Sequence, residues 1–170
     1  MFSLDIEQLN AISPYKIQLS EDKKSLCFDT EYGLHYQVSF QKDESIFGKL
    51  QAYYILFAPS NRTKHSHKYD DRVRIVISLI IKEFIVSTNR AIVYICESRD
   101  SLQAVRQRLF MKWFNLFKKE HGNLFKISSV SYQSDEWAFF GGVIVSNGNP
   151  NAEDYITILN SSYEEQIREK

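Results

Sequence analysis

The sequence predicts an α/β (α+β) chain: a mixed, largely antiparallel sheet with helices on both faces, in the order ββββαβαββα. Three observations predict it. Four short segments of alternating or clustered apolar residues come before any long helical periodicity. A helix that is apolar over more than half its circumference follows, and then a short β-branched run, Ala91–Cys96, of the kind that pairs in parallel inside a sheet. A second amphipathic helix then leads into two strands joined as a hairpin.

Leu4, Ile6, Leu9 and Ile12 space a short leading helix that Pro14 stops. Tyr15–Leu19, Lys24–Thr30 and Leu34–Gln41 read as an antiparallel meander, because Ser20-Glu21-Asp22 and Tyr32-Gly33 supply turn chemistry between them. The fourth strand, Leu50–Ala58, stops at Pro59, and a polar loop follows. Asp70 or Asp71 caps the long helix, in which Val73, Val76, Ile77, Ile80, Ile81 and Phe84 recur at helical spacing. Ile75, Leu79 and Ile85 widen that face, so the helix packs on more than one side, and Asn89 closes it. Asp100 with Gln103 opens the second helix, whose inward face is Leu102, Val105, Leu109, Trp113 and Leu116, and Gly122 ends it. Leu124–Tyr132 and Trp137–Val145 form the hairpin around residues 133–136. A final amphipathic helix starts near Asn151 and places Tyr155, Ile158, Leu159, Ser162 and Tyr163 on one side. No repeat or linker interrupts the 170 residues, so a single domain over 1–170 is expected.

A hydrophobic share of 44% excludes disorder. Basic and acidic side chains number 21 each, which removes a whole-molecule field for nucleic acid. The charge is nonetheless segregated: residues 1–58 carry −3, residues 59–122 carry +7 and residues 123–170 carry −4. Cys27 and Cys96 each sit in an apolar run and read as buried small hydrophobes, without the pattern of a disulfide scaffold. Met1–Glu7 is acidic and lacks the regions of a signal peptide, and Ile75–Val86 is too short and too charged to span a bilayer. A cytoplasmic protein with no membrane partner is the expectation.

Glycine-rich phosphate loops, nucleophile elbows and paired catalytic carboxylates are absent from the sequence. His65 and His67 lie between Lys64 and Lys68 without a third ligand, so no metal is expected. Two basic clusters remain. Arg62, Lys64, Lys68 and Arg72, with Arg74, gather where a loop opens a helix and outward amides favour anions, although Asp70 and Asp71 at the same start oppose one. Arg108, Lys112, Asn115 and Lys119 share one face of the second helix, a surface for an acidic partner or RNA. The cluster lacks stacking aromatics, so the nucleic-acid signal is not strong. Gly141-Gly142 in an apolar strand marks a bulge or the close approach of another backbone. The 10 tyrosines and 12 phenylalanines leave a homodimer open.

Asp71-Arg72-Val73-Arg74-Ile75, Ala91-Ile92-Val93-Tyr94-Ile95-Cys96, Arg106–Phe114 and Asn149-Pro150-Asn151 resemble a family of small uncharacterised bacterial proteins. The element order from the second strand onward also resembles the GNAT acyltransferase fold, and Tyr94–Phe114 resembles its stretch ending in Leu-Tyr-x-Lys-x-Gly-Phe. That resemblance implies a helix whose start receives the pyrophosphate of a CoA-type cofactor. It also implies a V-shaped opening between the fourth and fifth strands. The chain departs from the pattern in three places. His65–Arg74 holds no glycine, Phe110 stands where a tyrosine commonly protonates the leaving thiolate, and the glycine before the closing phenylalanine is missing. These residues point to a non-catalytic binding domain on a GNAT-like scaffold and lean away from an enzyme. One alternative is a divergent acyltransferase holding a CoA-type anion with Arg62, Lys64, Lys68 and Arg72. Another is an RNA- or acidic-protein-binding module using Arg108, Lys112 and Lys119.

Overall fold

A computed structural model describes residues 4–61, 64, 68–98, 103–133 and 138–168. The elements follow the predicted order after a leading helix: α1 (Ile6–Ile12), β1 (Ile17–Leu19), β2 (Leu26–Asp29), β3 (His35–Lys42), β4 (Ala52–Pro59), α2 (Asp71–Thr88), β5 (Ala91–Ser98), α3 (Gln103–His121), β6 (Phe125–Gln133), β7 (Ala138–Ser146) and α4 (Ala152–Arg168). The strands form a seven-stranded sheet in the order β1-β2-β3-β4-β5-β7-β6. β4 and β5 run parallel, as the β-branched run implied, while β1–β2, β2–β3, β5–β7 and β6–β7 are antiparallel. The fold class is therefore the expected mixed, largely antiparallel α+β sheet. The Asp100 cap and the tight turn of the last hairpin lie outside the described residues.

Backbone contacts divide the chain into two units, Met1–Gln41 with Ile55–Thr88, and Lys42–Tyr54 with Asn89–Lys170. In the first, period-2 alternation sends Ile17, Leu26, Phe28 and Val38 inward, all buried. Phe28 stacks on Tyr36, and Phe40 of β3 stacks on Phe84 of α2 with ring centroids 4.2 Å apart. Burying a side chain such as Phe84 contributes roughly 1.5–3 kcal/mol. The broad apolar face of α2 is used as expected: Val73, Val76, Ile77, Ile80, Ile81, Phe84 and Ile85 are all buried. Asn89 ends the helix in the left-handed region at φ 53°, where asparagine is tolerated.

In the second unit the register assigns the two helices to opposite faces of β5-β7-β6. Tyr94 and Phe140 share one face, with Phe114 of α3 against both, and Phe125 stacks there on Phe117 of α3. Val93, Val143 and Val145 point the other way into a core with Tyr155 and Leu159 of α4. Phe47, Ala52 and Ala91 complete that core, and the Tyr155 hydroxyl donates to the Gln51 carbonyl at 3.0 Å. The parallel ladder between β4 and β5 joins three pairs, Ala52↔Ala91, Tyr53↔Ile92 and Tyr54↔Val93. On its β7 side, by contrast, β5 stays paired through Ser98.

One expectation is corrected, and one of two alternatives drops out. Cys27 is half-buried rather than part of the core, because Leu26 and Phe28 take the inward positions on either side and leave it the outer face. Gly141-Gly142 is no bulge: each has one partner in an uninterrupted register on both sides of β7. The side chain of Cys96 lies outside the described residues.

Candidate functional site

Tyr15, Glu31, Asp70 and Arg72 converge at the start of α2. Asp70 is the cap, since its Oδ1 accepts the Arg72 amide at 3.1 Å. The Tyr15 hydroxyl donates to Asp70 Oδ2 at 2.5 Å, and the Arg72 Nε donates to Asp70 Oδ1 at 3.0 Å. The same guanidinium forks onto both carboxylate oxygens of Glu31 and lies over the Tyr15 ring. Burial works against the Asp70 anion, but the Tyr15 hydroxyl and Arg72 outweigh it and hold its carboxyl below the usual range. Burial and the bond to Asp70 push the Tyr15 phenol up to about 12. Arg72 is thus held by two carboxylates, and Asp70 occupies a helix amide that an incoming anion would need.

The other members of the first basic cluster scatter. Lys64 and Lys68 are exposed, and the Lys68 ammonium sits over the Tyr32 ring at 5.2 Å. Arg62, His65 and His67 lie outside the described residues. Arg74 is buried, 6% exposed, with its guanidinium on Asp71 one helical turn back. Among the described residues no group of three or more His, Cys, Asp and Glu side chains could hold a metal ion.

The outer face of β1–β3 forms an open polar groove of about 530 Å³, lined by Gln18, Asp22, Cys27, Asp29, His35 and Gln37 among others. Its polar groups already serve one another. His35 Nδ1 meets Asp29 at 2.8 Å, Gln37 donates to Ser25, and the Ser20 hydroxyl and Lys24 amide hold the Asp22 carboxyl below its ordinary value. Burial pushes the Cys27 thiol up, the opposite of what a nucleophile requires.

Tyr94 is 5% exposed, and among the described residues its hydroxyl has no hydrogen-bond partner. Its ring packs against Phe114 and Phe140 and covers Gly142, its direct partner across the β5–β7 ladder. A methyl group on Gly142 would lie 2.0 Å from the Tyr94 Oη and 2.5 Å from the Ser128 carbonyl oxygen. The glycine is therefore required by a close approach, as expected, though of a side chain as well as a backbone. Burial holds the Tyr94 phenol far above its ordinary pKa, so it releases no proton near neutrality.

On α3, Arg108, Lys112, Asn115, Lys118 and Lys119 are all exposed, while Phe117 is buried and Trp113 and Phe114 are half-buried. The predicted face, Arg108, Lys112, Asn115 and Lys119, is thus outward along its length, and Lys118 lies to one side of it. The helix also ends in Lys118, Lys119 and His121, which suit the negative end of its dipole.

A family of unknown function, DUF6169, matches residues 69–161, more than half of the 170. The chain belongs to that family. No curated protein matches it. The DUF6169 stretch takes in all four segments that carried the resemblance to an uncharacterised family, from Asp71–Ile75 to Asn149–Asn151. It includes Asp70, Arg72, Tyr94, Gly142 and the α3 row, and it leaves out Lys64, Lys68 and the polar groove. No helix among the described residues is long and apolar enough to cross a membrane.

Sequence reading missed Asp43, which is 2% exposed in the second unit. Its carboxylate accepts the amides of Ile46 and Phe47 and the Tyr54 hydroxyl, and these bonds pull its pKa down against burial. A loop aspartate followed by Ser45 was the available signal, but that pattern is common in exposed turns.

Proposed function

We propose that this member of DUF6169 is a non-catalytic binding domain on a GNAT-like scaffold, and that it engages an acidic protein partner through the outward face of α3. The exposed row Arg108, Lys112 and Lys119 carries the reading. From Arg108 to Lys119 the row covers about 17 Å of helix, at 1.5 Å per residue. Met111, 39% exposed beside these cations, offers an apolar contact that suits a protein surface. The helix turns Phe114 and Phe117 toward the sheet, which leaves them unsuited to stacking on bases.

The strand order and the three-pair β4–β5 ladder support a GNAT-like scaffold. Three features support binding without transfer. Phe110 cannot donate a proton, the Tyr94 phenol is locked in its neutral form, and two carboxylates occupy Arg72.

Fluorescence anisotropy with a labelled polyglutamate peptide tests the proposal, with a uridine oligonucleotide alongside. Reversing Arg108, Lys112 and Lys119 together to glutamate is expected to weaken peptide binding about tenfold or more, given a few tenths to one kcal/mol for each exposed pair. Added salt should weaken the wild type in the same direction. Peptide binding that ignores the triple reversal, or a preference for the oligonucleotide, rejects this partner.

A divergent acyltransferase is the second reading, favoured by the shortness of the parallel ladder. On that reading a CoA-type anion meets Arg62, Lys64 and Lys68. Desulfo-coenzyme A should then raise the melting temperature of the wild type and leave the Arg62→Ala, Lys64→Ala, Lys68→Ala triple variant unmoved. An unmoved wild type dismisses it.

A further inference from the structure

We propose that the outer edge of β6 is a self-association site, at which a second copy of this chain pairs β6 against β6, antiparallel across a two-fold axis. β6 ends the sheet on one side and runs nine residues. The opposite edge, β1, is three residues long, and a short edge strand offers little to pair with. The ladder from β6 to β7 is unbroken from Phe125↔Ser146 to Gln133↔Ala138, so no bulge twists the strand away.

The phase of that ladder sets which groups face outward. The Asn147 amide donates to the Leu124 carbonyl, and this pair continues the register one step beyond Phe125↔Ser146. Leu124 is therefore a hydrogen-bonded position, and every second residue after it bonds to β7. The amides and carbonyls of Phe125, Ile127, Ser129, Ser131 and Gln133 point away from the sheet. Among the described residues none of them has a backbone partner outside the strand ladders. Ser129 and Ser131 are exposed.

Edge strands are commonly guarded by proline, by a bulge or by an unpaired lysine. The sequence of β6 contains no proline and no glycine, and its one charge, Lys126, is already bonded to Glu153 of α4. The strand also suits a copy of itself. Pairing about Ser129 sets Phe125 opposite Gln133 and Ile127 opposite Ser131, all positions whose backbone groups point away from β7. It sets Lys126 opposite Tyr132, so no like charges meet. An axis through one residue on each strand is what an isologous dimer requires.

Sedimentation velocity of the full chain over a concentration series tests the pairing. The wild type is expected to sediment as a dimer of the 20.0 kDa chain. Ser129→Pro removes an amide that the β6–β7 ladder does not use, and Ser129→Lys sets two ammonium groups against each other at the axis. Each variant is expected to sediment as a monomer, with a dissociation constant raised at least tenfold, and to lose any concentration dependence of the melting temperature that the wild type shows. If proline unfolds the strand, the lysine variant decides. Reversing Arg108, Lys112 and Lys119 should leave the dimer intact, which separates this site from the α3 surface. A wild type that stays monomeric throughout, or a dimer that survives the lysine variant, overturns the proposal.

Discussion

Gly142→Ala is expected to destabilise the protein by about 3 kcal/mol, near the upper end of what overpacking a filled site costs. The added carbon would sit 2.0 Å from the Tyr94 Oη, 2.4 Å from its Cζ and 2.5 Å from the Ser128 carbonyl oxygen. Phe114 and Phe140 pack against the ring and oppose its retreat. The Ser128 oxygen belongs to a strand fixed by its own ladder. Tyr94→Phe is expected to act in the opposite direction, gaining about 1 kcal/mol, since it removes a buried hydroxyl that has no partner. Urea denaturation of the two single variants and the pair measures both effects. In the Tyr94→Phe background Gly142→Ala should remain costly, because the Cζ and the carbonyl still obstruct the methyl group. A Gly142→Ala variant as stable as the wild type would refute the packing described for this face.

Asp70→Ala should cost about 3 kcal/mol at neutral pH, combining a lost helix cap with lost charge-assisted bonds to Tyr15 and Arg72. Asp70 and Glu31 are both held low, Glu31 by Arg72, and Tyr15 is held high, so Glu31 adds an acid contribution separate from that of Asp70. The folded pKa of Asp70 lies below its unfolded value, so its contribution is present above the unfolded carboxylate range and is lost as pH falls through the folded pKa. The Tyr15 phenol is raised from 10.0 to about 12, so its contribution is present below pH 10 and is lost as pH rises through 12. Stability from this cluster should thus be flat between those limits and fall on both sides. In Asp70→Ala the acid limb attributable to this carboxylate disappears. Melting temperatures of both proteins from acid to alkaline pH provide the check, and parallel profiles would contradict the assignment.

Elements whose signal is periodic were legible in the sequence. The wide apolar face of α2 and the β-branched run of β5 each follow from a pattern within one element, and both stand where the pattern put them. What escaped depends on register or on a neighbour. The spacing at Gly141-Gly142 announced a close approach, but its cause, Tyr94, becomes visible only once β5 and β7 are aligned. Arg74 looked like one more cation in a basic cluster. Asp71, three residues earlier, faces it across one turn and lets it be buried. Cys27 was placed inside on composition, whereas the alternation of Leu26 and Phe28 already assigned it the outer face. The site is less legible than the fold. Exposed cations on α3 can be read from helical spacing, but which of the cations near α2 are already neutralised depends on Glu31, far away in the chain.

The Gln51 carbonyl has a consequence for how much chain is needed to fold. It accepts the Ala91 amide at 3.3 Å and the Tyr155 hydroxyl at 3.0 Å, so residues on either side of the DUF6169 boundary at Tyr69 share one set of bonds. A fragment excised at Tyr69 would keep β5, β7 and α4 but lose Phe47 and Ala52 from their core, together with the acceptor for Tyr155. It would expose Ala91 and Val93 where β4 had covered them and leave a hydroxyl without its partner. The stretch that matches the family therefore carries only part of the core on which α4 packs, and the rest comes from the loop that Asp43 organises and from the start of β4.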